Sequence, residues 1–126
     1  MDSSMRMMGL NPEKFAVFDP ERPLKVDELT VISTDRFRPE LLQPVRDAIR
    51  HLPAGRPKRR IFISRAKSRG RNLVNEAAIW PLLEQAGFER TFMEELRFDG
   101  QVRLMGETEV LLAPHGAGIT NILLCQ

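Results

Sequence analysis

The chain has one cysteine, Cys125, and no tyrosine. A single thiol cannot close an internal disulfide, so the fold does not depend on an oxidising compartment. No Cys/His spacing of the zinc-binding kind occurs. No apolar run approaches the roughly 20 residues of a membrane span. The opening Met1-Asp2-Ser3-Ser4-Met5-Arg6-Met7-Met8 has no apolar core of signal-peptide length, and no internal repeat is visible. Excess charge is also scarce. Lys and Arg number 19 against 17 Asp and Glu, a formal net charge of +2. That excludes a strongly cationic chain, although a sequence pI of about 9.1 leaves room for a local basic patch. With no tyrosine and no RNA or DNA motif, a nucleic-acid partner for Arg56 to Arg71 is the weaker reading.

What is present is an ordinary globular composition. The 126 residues are 42% hydrophobic and 29% charged, which suits one domain with a moderate core. Residues 1–28 read as a lead-in and linker, and residues 29–126 as the domain. Within the lead-in, 1–14 look loose, 14–18 suit a short edge strand, and Asp19-Pro20-Glu21-Arg22-Pro23 is a turn. Leu29-Thr30-Val31-Ile32-Ser33 is apolar and β-branched and reads as a strand.

A helix follows. Leu41, Val45, Ala48, Ile49 and Leu52 share one face. Pro39 suits its first position, but Pro44 then sits inside it and costs a hydrogen bond, so either the helix kinks or its regular part starts near Pro44. Ile61-Phe62-Ile63-Ser64 is a short buried strand entered from the basic run Arg56-Pro57-Lys58-Arg59-Arg60. Ile79, Leu82, Leu83 and Ala86 mark a second helix with Gly87 as its cap; a start near Ala78 puts Pro81 in the first turn, whereas a start near Asn75 requires a bend. Residues 88–92 suit a strand and 98–105 a third helix carrying Phe98, Val102 and Met105 on one face. Val110-Leu111-Leu112-Ala113 is the last strand, ending in Pro114-His115-Gly116-Ala117-Gly118, after which Ile119, Ile122 and Leu123 begin a helical pattern. Alternating short strands and amphipathic helices predict an α/β fold, a Rossmann-like parallel sheet with flanking helices. Such sheets bind ligands beyond the carboxyl ends of their strands.

Two loops meet that condition, 64–76 and 113–121. In the first, Arg65 lies one residue past a buried strand, and Arg71 follows six residues on. A guanidinium there offers paired hydrogen bonds to a phosphate and stays charged at any working pH. Lys67 and Arg69 read as solvated surface charge. Asn75 is either a ligand contact or the helix N-cap. Glu76 orients Arg65 or Arg71, touches a sugar hydroxyl, or merely complements the helix dipole. In the second loop, Gly116, Ala117 and Gly118 let backbone approach an anion, and N–H groups of the following turn point at it. His115 can donate to a phosphate or bond a neighbouring carbonyl. Thr120 and Asn121 either contact the ligand or cap locally.

Arg60-Ile61-Phe62-Ile63-Ser64-Arg65, Arg71-Asn72-Leu73-Val74-Asn75-Glu76, Gly87-Phe88, Gln101-Val102 and His115-Gly116-Ala117-Gly118-Ile119-Thr120-Asn121, in that order and spacing, resemble the C-terminal part of glycosyltransferase family sixty-one. The resemblance covers about residues 60–124. That family includes plant xylosyl- and arabinosyltransferases, an animal enzyme adding N-acetylglucosamine, and bacterial capsular-polysaccharide proteins. It implies a GT-B-type transferase with a nucleotide-sugar donor, a glycan or protein-linked acceptor, inversion at the anomeric carbon, and neither an obligatory metal nor a cofactor. Arg65, Arg71, Asn75 and Glu76 match its first motif; His115, Gly116, Ala117, Gly118, Thr120 and Asn121 match its second. The resemblance implies no catalytic base here, since such a base commonly comes from the other domain.

The family pattern continues past Asn121 and includes an acceptor-binding domain that is short or missing here. The expectation is therefore a truncated, partial domain. A non-catalytic nucleotide- or phosphate-binding module is the alternative reading of the same loops. A bacterial chain of this kind is expected in the cytoplasm, and a truncated eukaryotic one in the Golgi or endoplasmic reticulum lumen. Donor sugar, acceptor and oligomeric state are not written in the residues.

Overall fold

A computed structural model describes residues 2–31, 38–52, 55–68, 70 and 72–125. The chain divides into two compact units, Met1–Ala48 and Ile49–Gln126.

The first unit opens with a short helix, α1 (Asp2–Met7), where a loose lead-in was expected. A 3-10 turn, Pro12–Lys14, follows, with Asn11 Oδ1 accepting from the Glu13 amide at 3.1 Å. The turn at Asp19 forms as its sequence predicts, with Asp19 Oδ1 accepting from the Glu21 amide at 3.0 Å. Neither expected strand of this unit forms among the described residues. Residues 15–18 and 29–31 take no strand pairing, and Ile32 and Ser33 lie outside the described residues. The physical reason is context. Val17, Leu29 and Val31 are 82%, 74% and 74% exposed, so β-branched propensity has no neighbouring strand or packed face to act on. Helix α2 (Pro39–Ile49) takes the earlier of the two starts left open by the sequence and runs through Pro44.

The second unit is built on one strand, β1 (Arg59–Ile63). It is central in a three-stranded parallel sheet of order β2-β1-β3, where β2 is Phe88–Thr91 and β3 is Thr108–Leu112. Among the described residues the sheet thus has three strands, where the sequence suggested a fourth at 29–33. Central position explains the burial of β1: Ile61, Phe62 and Ile63 are all within 3% of complete burial. A strand covered on both faces reads as a continuous apolar run rather than an alternation.

Helix α3 (Glu76–Gln85) links β1 to β2, and α4 (Phe98–Gly106) links β2 to β3. Phe62 turns to α3, where its ring lies 6.2 Å from that of Trp80. Ile63 turns the other way, toward the segment Ala117–Leu124, which packs on α4. That last segment is a 3-10 helix, not the α-helix its apolar spacing suggested. In α4 the predicted face is correct: Val102 and Met105 are buried, and Leu104 joins them. Pro81 sits inside α3, and Gly87 closes its carboxyl end at φ +78°, a left-handed conformation that favours glycine.

From β1 the chain crosses to β2 on one side. From β2 it crosses back over β1 to β3 on the other. The direction reverses between β1 and β3. Such a switch point opens a crevice at the carboxyl ends of the two strands. The loops leaving those ends are 64–75 and 113–116.

Candidate functional site

The two loops meet through Arg65 and Gly116. The Arg65 side chain lies across Gly116 so closely that a Cβ built there would overlap the guanidinium. Gly116 is extended, with φ 166° and ψ −179°, so a glycine is required by the arginine and not by backbone strain. Two residues on, Gly118 packs on Ile63, whose Cγ2 would lie 3.3 Å from an added Cβ. Small residues in the second loop therefore let it close onto the end of β1.

An open pocket of about 570 Å³ lies at this junction. Arg65, Gly118 and Asn121 line it together with Ser64, Ser68, Lys67, Gln101, Met93 and Glu94. The Arg65 guanidinium is only partly occupied by protein partners. Its Nη2 donates to the Gly70 carbonyl at 3.0 Å, while its Nε is buried with no hydrogen-bond partner among the described residues. A buried donor left unpaired costs about 1–3 kcal/mol. The residues around Arg65 fix its backbone. The Ser68 amide donates to the Arg65 carbonyl at 2.9 Å, and Ser68 Oγ donates to the Gly70 carbonyl at 2.8 Å. Asn72, with its amide nitrogen turned into the loop, donates to the Arg65 carbonyl at 2.8 Å.

Beneath the loop, Ser64 and Glu76 form a buried pair. Ser64 Oγ donates to Glu76 Oε1 at 2.5 Å and accepts from the Ala66 amide at 3.1 Å. Glu76 is 5% exposed, and its Oε2 has no partner among the described residues. Arg90 on β2 lies 3.9 Å from Glu76 Oε1, with its guanidinium stacked 4.8 Å above the Trp80 ring. Glu76 therefore bonds Ser64, a partner that sequence reasoning did not name. The signal lay in chain order: a hydroxyl ending a buried strand and a carboxylate opening the next helix meet at one edge of the sheet.

The remaining expectations divide. Arg65, Gly116, Gly118 and Asn121 come together. Ala117 joins them by its backbone position in the turn. His115 and Thr120 are exposed and stand outside the pocket lining. Asn75 occupies the cap position of α3, but its side chain makes no cap hydrogen bond. Arg71, like Arg69, lies outside the described residues. Lys67 is not merely solvated: it pairs with Glu95 and stacks 4.1 Å above the Phe92 ring. Gln101 was legible only as part of a motif. Its Nε2 donates to the carbonyls of Met93 and Leu96, at 3.0 and 3.1 Å, and so pins the turn that forms the pocket's far wall.

The basic run that leads into β1 and supplies its first two residues is engaged at the opposite end of the strand. Arg59 donates from Nε and Nη2 to Glu89, at 3.0 and 2.6 Å, and from Nη1 to Glu107 at 3.0 Å. Glu89 holds the guanidinium pKa well above its usual value, and the Arg59 hydrogen bond holds the Glu89 carboxyl below the usual carboxylate range. Arg60 donates to the Ala86 carbonyl at 2.7 Å, at the carboxyl end of α3, and stacks on Phe88 at 4.7 Å.

A family model described as Glycosyltransferase 61 matches residues 3–126. The chain belongs to that family. The match extends the resemblance at residues 60–124 through almost the whole chain, including the first compact unit. Searches of curated proteins and of solved structures returned no match. Membership supports glycosyl transfer as the chemistry served by this α/β sheet. No helix among the described residues is long and apolar enough to cross a membrane.

Proposed function

We propose that the carboxyl edge of the sheet holds the diphosphate of a nucleotide-sugar donor, from which the sugar passes to a glycan or protein-linked acceptor. The observation that carries this reading is the Arg65 guanidinium. It spans the β1–β3 switch point against Gly116, beside an open pocket, and its buried Nε lacks a partner among the described residues. A nucleoside diphosphate leaving the anomeric carbon gains negative charge. Preorganised donors in a partly desolvated cleft stabilise such charge without reorganising. Arg65, the amide of Asn121 and backbone N–H groups of the Gly116–Gly118 turn supply those donors. Arg71, His115 and Thr120 are assigned to the same ligand by their place in the two motifs. Asn75 belongs to it through the first motif, and Glu76 acts from beneath the loop. The family resemblance implies that the transfer is inverting and needs no obligatory metal, and cationic and N–H donors suit that role. The architecture is the donor-binding half of a GT-B enzyme, the catalytic base coming from elsewhere. On this reading the nucleotide-sugar-binding domain is residues 29–126, with the site carried by the second compact unit.

Thermal unfolding with and without uridine diphosphate tests the reading. Saturation at a hundredfold excess over Kd stabilises the native state by about 2.7 kcal/mol. Arg65→Ala should remove most of that protection and His115→Ala a smaller part. Absence of protection by uridine, guanosine and adenosine diphosphates alike would refute the assignment. Incubation with labelled sugar nucleotides then separates transfer from binding alone.

A further inference from the structure

The donor reading leaves Glu76 without a direct task. It is 5% exposed, it does not line the pocket, and one of its oxygens is unpaired among the described residues. Its contacts lead elsewhere. On one side stands Arg90, aligned by stacking on Trp80 at 4.8 Å and, more distantly, on Phe92 at 5.9 Å. On the other stands Ser64, itself 1% exposed. Ser64 is tied down three times: its amide donates to the Thr91 carbonyl at 2.8 Å, its Oγ donates to Glu76, and the same Oγ accepts from the Ala66 amide. Residues 64 and 66 flank Arg65.

We infer that Glu76 is a positioning residue, acting through Ser64 to set the backbone turn from which the Arg65 guanidinium reaches across Gly116. The inference rests on the donor reading for its purpose, since a fixed Arg65 matters because it meets the phosphate. Its physical logic is independent. A serine hydroxyl can donate only one hydrogen. With Glu76 taking that hydrogen, the lone pairs of Ser64 Oγ face the Ala66 amide and hold the turn closed. Without the carboxylate, the hydroxyl is free to rotate and the Ala66 amide loses its oriented acceptor. A buried group that presets the geometry of a binding side chain lowers the ordering cost of binding. Arg90 keeps the carboxylate compensated, which burial otherwise makes costly.

Hydrogen exchange of the Arg65 Nε–H, followed by nuclear magnetic resonance on the full chain, tests this without any ligand. The unliganded parent should show a protected Nε–H. Glu76→Ala and Ser64→Ala should each speed its exchange about tenfold or more, with the amides of β1, β2 and β3 still protected. Glu76→Gln should stay near the parent, because the amide oxygen still accepts from Ser64. Should Glu76→Ala fail to fold, Ser64→Ala and Glu76→Gln carry the comparison. Parent-like exchange in Ser64→Ala, or a Glu76→Gln that behaves like an alanine variant, would overturn the inference. Uridine diphosphate added to the parent addresses the donor reading separately: an Arg65 Nε–H indifferent to it contradicts that reading and leaves the exchange comparison intact.

Discussion

Arg59 and Arg65 stand at opposite ends of one strand, and their guanidinium groups have opposite fates. At the amino end, Nε, Nη1 and Nη2 of Arg59 all donate to carboxylates of Glu89 and Glu107. At the carboxyl end, the Arg65 guanidinium has, among the described residues, one carbonyl partner and an unpaired, buried Nε. The same residue type closes the sheet at one edge and leaves it chemically open at the other. The amino edge is finished from within: the amides of Lys58 and Arg59 both donate to the Glu107 carbonyl, and a register irregularity at Arg59/Arg60 gathers them there. At the carboxyl edge the Arg65 guanidinium lies against Gly116, whereas Arg59 faces the carboxylates of Glu89 and Glu107. Basic residues close in sequence therefore differ in role according to what faces them, and the counter-charges decide which are structural.

The largest expected effect comes from the strand both edges share. Phe62→Ala should destabilise the protein by about 3–5 kcal/mol, because it empties the space against Trp80. Stability and nucleotide binding should fall together in chemical denaturation and calorimetry. A variant that kept both would mean the edges do not depend on β1.

Arg59→Ala comes next. It removes three charge-assisted hydrogen bonds that are partly open to solvent, and a loss of about 1–2 kcal/mol is expected after screening. Affinity of the folded variant for uridine diphosphate should equal the parent's. A weakened affinity would break the division between the edges.

Gly116→Ala should do the reverse. The added methyl meets the far end of a flexible side chain, so stability should move by no more than about 0.5 kcal/mol. Displacing Arg65 should weaken the nucleotide about three- to tenfold, measured by calorimetry. A large drop in melting temperature with unchanged affinity would make Gly116 structural instead.

The smallest effect is in pH. The Glu89 carboxyl is depressed in the folded state by its hydrogen bond from Arg59. Its contribution is thus complete above the unfolded carboxylate pKa and is lost as pH falls through the lower, folded value. Melting temperature should decline on acidification through that window, and Arg59→Ala should flatten the decline. Glu89 is half exposed, so the change is smaller than that of the truncation itself.

The sequence made one half of this comparison visible. The run Ile61-Phe62-Ile63, a helix with Val102 and Met105 on one face, and two loops at strand ends are all local patterns, and each marks what the fold uses. Strand propensity at Leu29 to Val31 misled because propensity needs a partner surface, which those exposed residues lack among the described residues. In sequence Ser64 and Glu76 were legible only as a strand end and a first helical turn; their bond exists because α3 starts near the end of β1. The three carboxylate contacts of Arg59 were equally hidden. Glu89 and Glu107 approach it only once parallel pairing aligns β1 with β2 and β3.

On the proposed reading, Arg65, whose buried Nε has no partner among the described residues, meets the donor's diphosphate at the carboxyl edge. Calorimetric titration of uridine diphosphate into Arg65→Ala, Arg65→Lys and Arg59→Ala tests it most directly. Binding to Arg65→Ala should be about 10- to 100-fold weaker, with partial recovery in Arg65→Lys, which keeps the charge but not the fork, and parent-like binding to Arg59→Ala. Equal affinity of Arg65→Ala and the parent, with both folded, would contradict it.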